Sequence, residues 1–120
     1  MRILCRLPQT SSGYVRFHIE HIVARQHGGE DDADNLALAC GYCNRHKGPN
    51  IAALDSETGQ LVPLYHPRRD HWSEHYTWKG AVIVGQTPIG RATVELLGMN
   101  DWQRIELREN LQTLGEPFVG

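Results

Sequence analysis

Tyr14-Val15-Arg16-Phe17-His18-Ile19-Glu20, Asn35-Leu36-Ala37-Leu38-Ala39-Cys40 and Cys43-Asn44-Arg45-His46-Lys47 are the runs whose reading decides the fold. The first alternates β-branched and aromatic residues with polar ones, the two-residue period of a half-buried strand. Gln26-His27-Gly28-Gly29 and the acidic residues after it read as a surface loop. The apolar run from Asn35 to Cys40 predicts a second strand. Beyond the Cys40-Gly41-Tyr42-Cys43 turn, Asn44 to Lys47 suits a helix, which Gly48-Pro49 interrupts. The order is strand, loop, strand, helix.

Working outward, Asp55-Ser56-Glu57-Thr58-Gly59 between apolar residues predicts a hairpin turn. A second strand pair is expected around Tyr76-Thr77-Trp78 and Ala81-Val82-Ile83-Val84, joined at Lys79-Gly80. Thr87-Pro88 has the residues of a helix start, and Gly98 those of its end. Asn100 is expected to cap a last helix from Asp101 to about Leu114, with Ile105, Leu107, Leu111 and Leu114 as its buried side. The class is α+β, with a core over residues 1–55 and a mixed α/β extension over 56–120 packed on it.

The chain has 120 residues, the size of one ordinary domain. Its 40% hydrophobic and 22% charged residues are those of a soluble globular protein, and no apolar run approaches the roughly 20 residues of a membrane span. The start, Met1-Arg2-Ile3-Leu4-Cys5, lacks the apolar stretch of a secretory signal, so the cytoplasm is the expected location. A net charge of −2 gives no general support to nucleic-acid binding. Any basic surface must be local, as at Arg45, His46 and Lys47 or at Arg68 and Arg69. With three cysteines, two of them in a CxxC turn, a metal knuckle is favoured over a disulfide framework.

Taken together and in order, Glu20-His21-Ile22, Gly28-Gly29, Asp34-Asn35-Leu36 and Cys40-x-x-Cys43-Asn44-x-x-Lys47 resemble the HNH endonuclease family. The resemblance implies a ββα-metal core and metal-dependent cleavage of nucleic acid, most simply double-stranded DNA. Phosphodiester hydrolysis needs a base to activate water and a cation to neutralise charge on the phosphate and the leaving oxygen. His21 is the expected general base, since a neutral imidazole can accept a proton from water. Glu20 and the amide oxygen of Asn44 are the expected ligands of Mg²⁺ or Mn²⁺, hard cations that prefer oxygen donors. The family usually has Asp where Glu20 stands and often His where Asn44 stands. Asn35 is expected to tie the loop to the base and orient the imidazole.

Adjacent residues on a regular strand point to opposite faces, so Glu20 and His21 share a site only if the strand ends or bulges there. A strand end at Glu20 is the expected solution, with His18 as a further contact to phosphate or metal. Arg45, His46 and Lys47 read equally as a solvated helix face or as contacts to a phosphate backbone. Trp72, Tyr76 and Trp78 read as core, and a second metal site at His66, His71 and His75 is disfavoured. The resemblance also implies a structural zinc at Cys5, Cys40 and Cys43. Arg2 stands where the partner of Cys5 would be and cannot ligate a metal. Three explanations compete: the natural chain starts upstream, His46 completes the site, or the metal has been lost. A rival function on the same scaffold is a non-catalytic zinc-knuckle module that binds nucleic acid or a partner.

Overall fold

The alternation leading to Glu20 does form a strand. The computed structural model describes residues 17–115 and places β1 at Phe17–His21. Tyr14, Val15 and Arg16, expected to begin it, lie outside the described residues, as does Cys5. β2, Leu36–Cys40, runs antiparallel to β1, with Phe17 opposite Cys40, Glu20 opposite Ala37 and His21 opposite Leu36. Between the strands the chain makes two short 3-10 turns, Arg25–His27 and Ala33–Asn35. α1, Gly41–Lys47, follows β2 without a linker. Gly48 then takes φ 50°, a value that side chains resist, and its N–H closes on the Asn44 carbonyl.

The remaining elements follow the expected order. β3, Ala52–Leu54, and β4, Leu61–Pro63, form the first hairpin. Its turn is held by Asp55, whose carboxylate accepts from the N–H and hydroxyl of Thr58. α2, Trp72–His75, is a single turn that sequence pattern does not announce. β5, Tyr76–Lys79, and β6, Val82–Gly85, pair antiparallel. α3, Pro88–Leu96, starts as expected, with the Thr87 hydroxyl accepting from the Gly90 N–H.

α4, Trp102–Thr113, departs from expectation in two respects. Asn100 is not its cap; Asp101 holds that position, and the Asn100 amide brackets Ile83, accepting from its N–H at 2.9 Å and donating to its carbonyl at 2.7 Å. Its inward side carries two arginines as well as leucines. Leu111, Arg104 and Arg108 are buried, whereas Leu114 is exposed. Arg108 is accommodated by donating to the Ala81 carbonyl at 2.7 Å and to Asn100 at 3.1 Å.

One core joins the two parts of the chain. Ala39, Cys40 and Cys43 from β2 and α1 pack in the same cluster as Tyr65, Trp72, Tyr76, Ile83, Leu97, Met99 and Leu111. Trp72 and Tyr76 are core residues, as expected. Arg68 fastens the later segment to β2 by donating from Nε to the Leu36 carbonyl at 2.7 Å. Among the described residues, no helix is long and apolar enough to cross a membrane.

Candidate active site

β1 does not end at Glu20, contrary to expectation. Regular pairing continues through His21, and beyond it the Ile22 N–H still donates to the Asn35 carbonyl at 2.8 Å. Strand alternation therefore sends the two side chains to opposite sides. Glu20 points to α1, where the Lys47 ammonium lies 3.6 Å from its carboxylate. His21 points to the loop, where its Nε2 lies 2.8 Å from Asp31.

On the Glu20 side, Lys47 is buried and also donates to the His21 carbonyl at 3.2 Å. It lies on neither a solvated helix face nor an open phosphate-binding surface. Burial raises the proton affinity of the Glu20 carboxyl, with Lys47 pulling the other way. Burial likewise lowers the pKa of Lys47, and Glu20 offsets part of that. Asn44 stands three residues before Lys47, close to one helical turn away. His18, two residues before Glu20, shares its strand face. A Cβ built on Gly41 would meet His18 Nε2 at 3.5 Å and an Arg45 guanidinium nitrogen at 3.1 Å, so those side chains converge over the start of α1.

On the His21 side, Asp31 is held by the Arg25 guanidinium, whose Nε and Nη2 each donate at 3.0 Å. The hydrogen bonds from His21 and then Arg25 hold the Asp31 carboxyl below its usual range. Asn35 fixes the loop that presents these groups. Its Oδ1 accepts from the Val23 N–H at 2.9 Å, and its Nδ2 donates to the carbonyls of Val23 at 3.0 Å and Glu30 at 2.7 Å. The amide thus works on the backbone, while the group on the imidazole is Asp31. Nothing in the sequence separated Asp31 from Glu30, Asp32 and Asp34.

A single carboxylate with one amide oxygen is a sparse donor set. It fits a Mg²⁺-like ion, which commonly binds through one or two carboxylates and keeps several waters. Among the described residues, no three His, Cys, Asp or Glu side chains converge as a metal site. That holds for the His66, His71 and His75 group too, where His75 Nδ1 is 2.6 Å from the Thr87 hydroxyl. Cys40 and Cys43 are both buried. Buried Arg104 donates to Cys40 Sγ at 2.9 Å and covers the Tyr42 ring at 4.9 Å. Two thiols supply half of a four-ligand zinc site, and no fit for zinc is made by the described residues. His46 is exposed, stacked on Tyr42 with ring centres 4.1 Å apart, and its Nδ1 lies 2.9 Å from the Tyr42 carbonyl. Arg45 is exposed as well.

Residues 4–50 match the HNH endonuclease family. No curated protein and no solved structure matches the chain.

Proposed function

From a chain whose residues 4–50 are a domain of the HNH endonuclease family, we propose a metal-dependent endonuclease that hydrolyses phosphodiester bonds in double-stranded DNA. The observation that carries this reading is the imidazole of His21, set at the end of β1 and bonded through Nε2 to Asp31 at 2.8 Å. A carboxylate at Nε2 favours the tautomer with the proton there, which leaves the Nδ1 lone pair to take a proton. An attacking water gives that proton to His21 Nδ1 as its oxygen bonds to phosphorus. The bond from phosphorus to the leaving oxygen breaks, and that oxygen is protonated from solvent. Glu20 leaves β1 on the side opposite to His21. A divalent cation that it and Asn44 would hold, Mg²⁺ or Mn²⁺, would therefore supply neutralising charge at the phosphate and leaving oxygen only with the phosphate lying across the end of β1, between the two sides. His18 and Arg45, converging over Gly41, are proposed to meet the phosphate backbone beside them, with exposed His46 next along the helix.

A specific observation favours the second reading, a non-catalytic binding module. Lys47 already neutralises Glu20. The two readings part in one experiment: plasmid, linear duplex, single-stranded DNA and RNA incubated with Mg²⁺, Mn²⁺ or EDTA, using the parent and His21→Ala. The expected result is metal-dependent cleavage of duplex DNA that falls by about 10²- to 10⁴-fold in His21→Ala, the usual effect of removing a general base. Binding without cleavage under every metal would select the module, and equal cleavage by His21→Ala would reject His21 as the base.

A further inference from the structure

Beside the candidate active site lies a cleft of about 300 Å³ whose walls come from both parts of the chain. Ile22, Val23, Lys47, Ile51 and Ile89 line it together with residues of the segment from Pro63 to Asp70. The volume stands at the lower limit of small-molecule sites, too small for a duplex and ample for one nucleobase. Lys47 belongs to both places: it lines the cleft, and its ammonium lies 3.6 Å from Glu20 and 3.2 Å from the His21 carbonyl. Anything held in the cleft is therefore attached within a residue's reach of the proposed chemistry.

The polar groups here are few and directed. His66 Nδ1 faces the N–H groups of Arg68 and Arg69, each at 3.2 Å, so it accepts and the ring proton resides on Nε2. Burial, with Arg69 close by, lowers the pKa of His66, which agrees with a neutral ring. A neutral His66 thus presents one N–H donor. Asp70, with one carboxylate oxygen accepting from the His66 backbone N–H at 2.8 Å, presents an acceptor on the same wall. Exposed Arg69 adds a cation at the rim. Apolar walls for a flat ring, a donor and an acceptor for its edge and a cation for an attached phosphate are complementary to a single nucleotide.

Resting on the nuclease reading above, we infer that this cleft receives one unstacked base of the strand being cut, with His66 as a positioning and specificity residue. A base within a duplex cannot enter so small a space, so the enzyme takes a nucleotide that is extruded or already unpaired. The inference adds a substrate requirement: cleavage is favoured where a base leaves its stack easily.

Backbone amide spectra recorded while titrating each of the four deoxynucleoside 5′-monophosphates, with deoxyribose 5-phosphate as control, test the binding directly. The expected result is that at least one mononucleotide shifts the signals of Ile51, Tyr65, His66 and Arg69, and that the control does not. Ile51→Trp fills the cleft from a position already 45% exposed and should abolish those shifts. His66→Asn keeps a side-chain acceptor for the Arg68 and Arg69 N–H groups but withdraws the Nε2 donor, and should weaken binding at least fivefold. On DNA, Ile51→Trp should lower cleavage about tenfold, and a mispaired base should raise parental cleavage. If mononucleotides shift nothing, or if both folded variants bind and cut as the parent does, the cleft is not a base site. Base binding by a protein that cuts nothing would uphold the cleft while rejecting the nuclease reading, so the two failures are distinguishable.

Discussion

The Lys47 ammonium lies 3.6 Å from the Glu20 carboxylate and 3.2 Å from the His21 carbonyl, so a buried cation stands where a divalent ion would meet its acidic ligand. Two unit charges about 4 Å apart interact by about 4 kcal/mol at an effective dielectric constant of about 20, and partial solvent access reduces that. Lys47→Met should therefore tighten Mn²⁺ binding by roughly tenfold, measured by isothermal titration. It should also lower the melting temperature, because the buried Glu20 carboxylate loses its partner. Unchanged or weaker Mn²⁺ affinity in a folded Lys47→Met would mean that the ion does not bind at Glu20.

Asp31 bonds the imidazole of His21 from the surface. It is well exposed, and its bonds go to His21 and Arg25. Removing a carboxylate behind a functional histidine typically reduces activity by about 10- to 100-fold. Asp31→Asn should show that loss in kcat at saturating metal, with an unchanged melting temperature and unchanged DNA affinity. A loss confined to KM would reassign Asp31 to substrate binding.

The fold was legible where local pattern and turn chemistry agree. The alternation to Glu20, the apolar run to Cys40, Gly48 after the helix and Thr87-Pro88 at the start of α3 each appear close to where they were expected. Asn35 was expected to tie the loop to the base and orient the imidazole; its amide bonds the backbone of Val23 and Glu30, and the group on the imidazole is Asp31. What was not legible depends on partners distant in sequence. Lys47 reads equally as a solvated cation or a phosphate contact until Glu20, 27 residues earlier, is placed against it. Arg104 and Arg108 were not among the residues expected on the buried side of α4, and their burial is accompanied by bonds to the Cys40 sulfur, the Ala81 carbonyl and Asn100. Asp31 is one of four acids in five residues, and loop geometry alone selects it.

Acid stability should be governed partly by Asp55, a fully buried carboxylate gripped by Arg91 at 2.9 and 3.0 Å. The Arg91 bonds foremost, then Thr58 and the Glu57 N–H, hold this carboxyl well below the usual range. In the unfolded chain the group takes up its proton near pH 3.9. As pH falls through that value the unfolded state binds more protons than the folded state, so stability present at neutral pH is progressively lost. Asp55→Asn should melt lower than the parent at pH 7, and the gap should shrink towards pH 3. A gap independent of pH would show that packing, not charge, carries the contribution of Asp55.

Cys40 and Cys43 raise the zinc question in a form that metal analysis can decide. Both sulfurs are buried in the shared core, Arg104 already bonds Cys40, and Cys5 is the remaining cysteine of the chain. Three thiolates with water as the fourth ligand would hold zinc less firmly than the four protein ligands of a closed structural site. Since structural zinc can contribute on the order of 10 kcal/mol, even a weakened site would be visible in thermal melting. Protein purified without added zinc should contain less than one zinc per chain, and EDTA should lower its melting temperature. Cys5→Ser should contain almost none and melt like the EDTA-treated parent. Near-zero zinc in the parent, with a melting temperature that EDTA leaves unchanged, would mean that Cys40 and Cys43 are ordinary buried thiols. In that case Ala39, Leu97, Leu111 and the Arg104 bond to sulfur stabilise this end of the core without metal.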